Sequence, residues 1–343
     1  MTLFGRKDEA GDPQVAIAAF WAWWEQGRAE VERLLEAGDM VGLTELLGPK
    51  VTAIHPELVW EIVPGRQAAQ ALVVTAAGAP DVRPLAHRWV RMAPPADEEW
   101  EFHPSRQANP DLAEVRLQVA GRDFGLDRLV LGLRAPRGNP RVDVAVFHPI
   151  FPDLEEEARQ EAALLALDWL IGEDEVARWV GEITAAAAEP IDAVPAVHLP
   201  AVIADQARYF AEREWVELEG RSPSGAKLTA ATLFPLRPVD HPLYDRHITI
   251  TLPYREADAD GLPTGASVKA LDEFTERLSA GLRDALLTVH VSGEGTRVLH
   301  VYADPGDDAE QVARALAETW PEGPARVETE DDPGWITISS FLS

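Results

Sequence analysis

The order in which strand-like and helix-like patterns of apolar residues follow one another in the C-terminal part of the sequence restricts the possible folds more than any other feature. Apolar residues alternate with polar ones in some segments, which predicts strands, and recur every three or four positions in others, which predicts amphipathic helices. In chain order the pattern predicts a strand at 246–254, a helix at 268–284, hairpin strands at 286–291 and 297–303, a helix at 309–320 and a strand at 325–329. This β-α-β-β-α-β order is typical of a ferredoxin-like domain, in which an antiparallel sheet packs on helices.

The N-terminal part repeats much of this order. The predicted elements are helices at 14–37 and 39–55, strands at 58–63 and 70–76, a helix at 81–92 and a strand at 99–103. Leu58 to Gly65 align without a gap with Leu286 to Gly293, about 228 positions further on. The predicted fold class is therefore α+β with two related units. Independent convergence on the same hairpin–helix–strand order would produce the same pattern.

The segment between these units predicts further elements and a boundary. We expect the first sheet to be extended by strands at 114–119, 128–134 and 141–147, and we expect helices at 154–171 and 174–188 with a break at Gly172. Prolines at 190, 195 and 200 in "EPIDAVPAVHLP" indicate an interdomain linker. The predicted domains are an N-terminal α+β domain over 1–190 and a C-terminal ferredoxin-like domain over 191–343.

Four aromatic residues occupy five positions at the start of "FWAWWEQGRAEVERLLEAG", which runs from Phe20 to Gly38. This short run has three interpretations: a membrane anchor, an aromatic platform for a ligand, or the inner face of a helix. On a helix, Trp21 and Trp24 share one stripe with Val31, and charged residues occupy the other side. Charge interrupts the stripe after two turns, so we interpret the segment as a packed helix.

Composition excludes several classes of function. The chain has no cysteine, so disulfides, thiolate metal sites and cysteine nucleophiles are absent. Its 31 basic and 58 acidic residues give a net charge of −27, which disfavours nucleic acid and anionic membranes as partners and leaves basic proteins open. The N-terminus lacks the apolar core of a signal peptide, so we expect a cytoplasmic protein. The oligomeric state is not predicted.

Four motifs carry a resemblance to a known family. They are "FWAWW", "LDWLIGEDEVARWVGEI" from Leu167 to Ile183, "ITLPY" and the terminal "DDPGWITISSFL". Together they resemble an uncharacterised bacterial family, domain of unknown function 695, over most of the chain. The C-terminal unit is also similar in topology to the ferredoxin-like inhibitor domain of ribonuclease E. That second resemblance implies a non-catalytic, acidic, protein-binding role and assigns no functional residue.

Candidate binding residues concentrate in "DHPLYDRH", which holds His241, Tyr244, Asp245 and His247 just before a predicted strand. Imidazole and carboxylate groups can hold a divalent ion, but this spacing matches no known metal site. We therefore predict a polar loop, no metal and no cofactor. His290 and His300, on neighbouring strands, should point to opposite sheet faces and cannot bind one ion.

Two further candidates have a structural interpretation beside the functional one. Asp168 lies on the apolar face of a helix, where burial raises the pKa of a carboxyl, but we favour the interpretation that it caps the start of the next helix. Asp331, Asp332 and Trp335 could form an acidic-aromatic docking patch, but a solvated turn with an anchoring tryptophan is the simpler interpretation.

No catalytic motif is present: the sequence contains neither a P-loop nor a G-x-G-x-x-G that opens a helix after a strand. The leading hypothesis is therefore a non-catalytic, cytoplasmic regulator that binds a basic protein. The alternative is an enzyme, or a sensor of a small molecule or metal, with its site between the two domains.

Overall fold

In a computed structural model, which describes residues 12–109 and 116–343, the chain divides into two compact units. The first contains Met1–Gly132, Val144–Ala177 and Ile183–Pro200. The second contains Leu133–Asp143, Arg178–Glu182 and Ala201–Ser343. Helices and antiparallel sheets occur in the chain, so the predicted α+β class is confirmed.

The first helix, α1 (Pro13–Glu36), is the packed helix that the aromatic stretch predicts. It begins where Asp12 accepts a hydrogen bond from the backbone N–H of Gln14 and where proline occupies the first turn. Phe20, Trp21 and Trp24 are buried in the core of the first unit. No helix within the two described ranges is long and apolar enough to cross a membrane.

The rest of this core is built on a three-stranded sheet. The elements are α2 (Met40–Thr52), β1 (Val59–Pro64), β2 (Gln70–Thr75), α3 (Arg83–Arg91) and β3 (Trp100–His103). Strand β2 pairs with β1 in antiparallel and with β3 in parallel orientation. All five elements lie within two or three residues of their predicted bounds.

The strands that follow do not extend this sheet, so that prediction is wrong. β4 (Arg116–Val119) pairs with β5 (Arg122–Gly125) in a separate hairpin. β6 (Val130–Arg134) and β7 (Val142–Phe147) belong to a four-stranded sheet of order β8-β7-β6-β9. Alternation of apolar residues identifies a strand but not its partner. Positions 114 and 115 of the predicted first strand lie outside the described residues.

The helix predicted at 174–188 is also wrong over most of its length. After α4 (Glu156–Ile171), Gly172 ends the helix in the left-handed region with a φ of 91°, as predicted. Helix α5 (Glu173–Trp179) is short, and β8 (Val180–Ala185) follows it directly. Gly181 and the β-branched Ile183 and Thr184 favour a strand over a helix.

The proline segment forms β9 (Val194–Pro195), which pairs with β6, before helix α6 (Leu199–Tyr209). We expect limited proteolysis to cut first near Ile191, whose side chain is fully exposed. Gel electrophoresis and mass spectrometry of the fragments would measure this. Early cleavage scattered through both halves, without a stable fragment, would contradict the proposed boundary at 190.

The second unit contains the predicted β-α-β-β-α-β order. Its elements are β10 (Glu214–Arg221), β11 (Lys227–Phe234), β12 (Arg246–Pro253), α7 (Gly265–Gly281), β13 (Ala285–Gly293), β14 (Thr296–Ala303), α8 (Ala309–Ala317) and β15 (Arg326–Asp331). They form one six-stranded sheet of order β10-β11-β13-β14-β12-β15, in which all neighbours are antiparallel. The β10–β11 hairpin thus lengthens the sheet beside β13.

Apolar side chains cover both faces of this sheet. On one face, Ile250 and Leu299 pack with Leu271 and Phe274 of α7. On the other face, Val289 and Tyr302 pack with Trp335 and with Ile338 of a short 3-10 segment, Ile336–Phe341. The C-terminal residues therefore close the face that the helices leave open.

The two units share an order of elements but differ in strand pairing. In the first unit β3 is hydrogen-bonded to β2, the second strand of its hairpin. In the second unit β15 is separated from β14 by the inserted strand β12. Within the described residues, the first unit has no strand in the place of β12. A common origin of the units stays a hypothesis.

Candidate functional site

The loop between β11 and β12 places His241 beside Tyr244, as its sequence suggested. The two rings stack with centroids 4.9 Å apart, and the ring of Trp335 lies 6.3 Å from that of His241. Nε2 of His241 accepts a hydrogen bond of 2.8 Å from Arg213 Nη1. Burial and the nearby Arg213 lower the pKa of His241 to about 4, so the imidazole is neutral near pH 7.

His247 belongs to a different group of side chains. It is fully buried on β12, with Nδ1 3.1 Å from Glu330 Oε1 and Nε2 3.0 Å from His300 Nδ1. Burial and His247 lower the pKa of His300 to about 4. The strand register pairs His290 with Leu299 and His300 with Val289, which places the two histidines on opposite faces, as predicted.

The residues proposed as an acidic-aromatic patch are mostly buried. Trp335 is 1% exposed, and its indole N–H donates to the Tyr244 carbonyl at 2.7 Å. The Asp332 carboxylate accepts from the Tyr302 hydroxyl at 2.6 Å and from two backbone N–H groups. Asp331 forms an exposed ion pair with Arg246 at 3.0 Å. This geometry fits the anchored turn rather than a docking surface.

The structure does not gather the loop residues into one metal site. His241 and His247 have different partners, and Asp245 accepts a backbone hydrogen bond from Asp332. Across residues 12–109 and 116–343, no group of three or more histidine and carboxylate side chains could hold a metal ion.

Asp240, at the start of the same loop, is the centre of an arginine cluster that the sequence analysis missed. Its Oδ1 accepts from Arg178 Nε at 2.6 Å and its Oδ2 from Arg213 Nη2 at 2.7 Å. Nη1 of Arg237 lies 3.8 Å from the same Oδ2. Burial alone raises the pKa of Asp240, but the hydrogen bonds from Arg178 and Arg213 outweigh it and lower the pKa.

The cluster could not be found from residue spacing. Arg178 lies in the last turn of α5, Arg213 precedes β10, and Arg237 follows β11. Only the folded chain brings Arg178 and Arg213 to Asp240. The local signals were Asp240 itself, next to the candidate His241, and Arg237 three residues before it.

In the first unit, Asp168 has an ion-pair partner and not the capping role that we considered. It is 8% exposed, and its Oδ2 accepts from Arg106 Nη1 at 3.1 Å, while Arg106 Nε lies 3.3 Å from Glu61. Burial, and then the charge of Glu173, raise the pKa of Asp168 to about 7. Glu173 accepts instead from Thr75 and from the backbone of Gly78 and Arg106.

A cleft of about 610 Å³ lies beside this ion pair. Its walls include Val63, Arg66, Glu101, His103, Arg106 and Trp169. The Glu101 carboxylate is held by three backbone N–H groups and lies 3.0 Å from His103 Nε2. The indole N–H of Trp169 is buried without a partner among the described residues. The cleft thus combines apolar walls with fixed polar groups.

One edge of the six-stranded sheet is exposed. Strand β10 is the terminal strand, and seven of its eight residues are exposed. It presents Glu214, Glu217 and Glu219 together with Trp215 and Leu218, whose exposed fractions are 45% and 41%. An exposed edge strand offers unpaired backbone groups to another chain.

Comparison with known proteins finds one family match, in the C-terminal segment. Residues 233–343 match a family of unknown function, DUF695. The match includes "ITLPY" and "DDPGWITISSFL", whereas "FWAWW" and "LDWLIGEDEVARWVGEI" lie outside it. The resemblance is therefore confirmed over this segment only. No curated protein matches the chain.

Proposed function

We propose that this chain, whose C-terminal segment matches DUF695, is a non-catalytic cytoplasmic regulator that binds a basic protein along strand β10. The observation that carries the proposal is the exposed, acidic edge of the six-stranded sheet. An extended segment of a partner would add to that edge as a seventh strand, with main-chain hydrogen bonds providing affinity.

The charge on β10 defines the chemistry of the partner. Glu217 and Glu219 point to the same face because they are two residues apart on a strand. Glu219 already forms a diagonal ion pair with Lys227 on β11, with 3.4 Å between Nζ and Oε1. A lysine or arginine on the other side of β10 would find a similar environment. The exposed Trp215 ring adds an apolar contact at one end of the strand.

We expect charge reversal on β10 to weaken this recognition. The probe is a labelled peptide of alternating lysine and valine, and fluorescence anisotropy measures its binding at low and at moderate salt. The wild-type protein should bind at low salt and lose affinity steeply as salt rises. Glu217→Lys together with Glu219→Lys should weaken binding by about tenfold or more.

A matched control separates strand recognition from general attraction to an acidic surface. Glu273→Lys with Glu276→Lys changes the net charge equally but acts on the exposed side of α7. This variant should bind as the wild type does, and a proline-containing peptide of equal charge should not bind. Equal losses in both double variants, or no binding at any ionic strength, would contradict the proposal.

The alternative function is small-molecule sensing or catalysis. The cleft of about 610 Å³ in the first unit supports it, since ligand sites are concave, largely apolar and carry a few fixed polar groups. Absence of peptide binding at every salt concentration would favour this alternative.

A further inference from the structure

Positive charge is concentrated at one place in a chain whose net charge is −27. Arg178, Arg213 and Arg237 surround Asp240, and Arg141 contributes to the positive potential at Arg237. Arg141 is itself held by the Ser343 backbone oxygen at 2.6 Å and the Val180 carbonyl at 3.3 Å. Within this cluster, Asp240 accepts hydrogen bonds from Arg178 and Arg213 but not from Arg237.

Arg237 is the member of the cluster that is poorly satisfied. Its side chain is 5% exposed, and its Nε and Nη2 atoms are buried without a hydrogen-bond partner among the described residues. Its guanidinium carbon lies 3.9 Å from the centroid of the Trp179 ring, which holds the plane of the group by stacking. A buried guanidinium with unpaired donors is costly unless an acceptor reaches it.

The carboxylate of Asp240 does not supply an acceptor for these donors of Arg237. Both oxygens of Asp240 are occupied by Arg178 and Arg213, and Arg237 stays 3.8 Å away. The neutral His241 accepts from Arg213 and so fixes the orientation of that side chain. Asp240 and His241 thus position the arginines and leave donors of Arg237 free for a further acceptor.

We propose that Arg237, together with Arg178 and Arg213, binds a small divalent oxyanion of the phosphate type. Guanidinium forks match the geometry of phosphate oxygens, and Nε and Nη2 of Arg237 are unpaired donors on one such fork. The positive potential that Arg178, Arg213 and Arg141 exert at Arg237 favours a divalent anion over a single carboxylate. We expect the ion to enter beside Arg213 and Arg178, whose side chains are 29% and 22% exposed.

The electrostatics of the cluster agree with this assignment. Burial, and then Arg178, Arg213 and Arg141, lower the pKa of Arg237 to about 10, against the opposing effect of Asp240. The guanidinium is therefore still charged near pH 7, but the positive charges of the neighbouring arginines repel it. A bound anion relieves that repulsion.

The test is the effect of inorganic phosphate on thermal unfolding, with sodium chloride at equal ionic strength as the reference. At a phosphate concentration 100 times the dissociation constant, the unfolding midpoint of the wild type should rise by about 5 °C. Arg237→Met should lose this shift, and Arg237→Lys, which keeps the charge without the fork, should lose most of it. Acetate should give a smaller shift than phosphate.

A control substitution distinguishes phosphate binding at the cluster from general stabilisation of the protein by phosphate. Arg208 is an exposed arginine paired with Asp205, so Arg208→Met should keep the wild-type shift. Broadening of the phosphorus resonance of phosphate in the presence of the protein measures binding directly, and Arg213→Met serves if Arg237→Met does not fold. Equal shifts in all variants, or no broadening with the wild type, would overturn the proposal.

Discussion

Trp24→Ala should lower the free energy of unfolding of the first unit by about 3–5 kcal/mol, as expected for truncation of a buried tryptophan. Trp24 is 2% exposed, and its ring meets those of Trp100 and Phe102 edge to face at 5.1 and 5.6 Å. The substitution leaves a cavity among rigid rings, which cannot collapse to fill it. Urea denaturation followed by near-ultraviolet circular dichroism measures the change.

Trp23→Ala is the matched control, since it removes the same side chain from the same helix. Trp23 is only partly buried, and Lys50 lies over its ring at 5.4 Å. Its loss should cost less than half as much as that of Trp24. A Trp24→Ala protein of wild-type stability that had lost a ligand or partner would restore the interpretation of this stretch as a binding platform.

Asp168→Asn should remove a pH dependence of stability in the first unit. The pKa of Asp168 is about 7 in the folded protein and roughly 3.9 in an unfolded chain. Between these values the folded state retains a proton that the unfolded state releases, so wild-type stability falls as pH rises from about 4 to 7. The asparagine variant keeps the acceptor for Arg106 and has no proton to release.

The expected gain of the variant over the wild type is about 2–4 kcal/mol at pH 8, and close to zero below pH 4. Urea denaturation across this pH range measures both curves. Asp153→Asn, at an exposed carboxylate paired with Arg122, should leave the curve of the wild type unchanged. Parallel curves for Asp168→Asn and the wild type would refute the coupling of this proton to folding.

Local patterns predicted most elements of the fold because each element carries its own periodicity. The elements from β12 to β15 were predicted within a few residues, since alternation and helical spacing are both properties of neighbouring positions. No bounds were predicted for α6, β10 and β11, which precede them. Which strands pair with each other is not a property of neighbouring positions. The partners of β6 and β7 depend on β8, whose residues fall inside the helix predicted at 174–188. Helix α5 and β8 are contiguous, so no turn separates the two in the sequence.

The candidate site shows the same limit. His247 was grouped with the polar loop before β12 although it falls within the strand predicted at 246–254. The alternation of β12 turns its ring toward His300, away from the loop residues. The arginines of the Asp240 cluster come from three distant segments, and no local pattern connects them. Contacts between side chains that are far apart in the sequence could therefore not be predicted from local patterns.

The closure of one sheet face by residues after the last strand has a consequence for biosynthesis. A ribosome delivers all six strands of this sheet before it delivers Trp335 and Ile338. Until then the nascent chain carries Val289 and Tyr302 on an uncovered apolar surface, of the kind that associates with other incomplete chains. This period ends only when the segment after β15 has left the ribosome and has packed on the sheet.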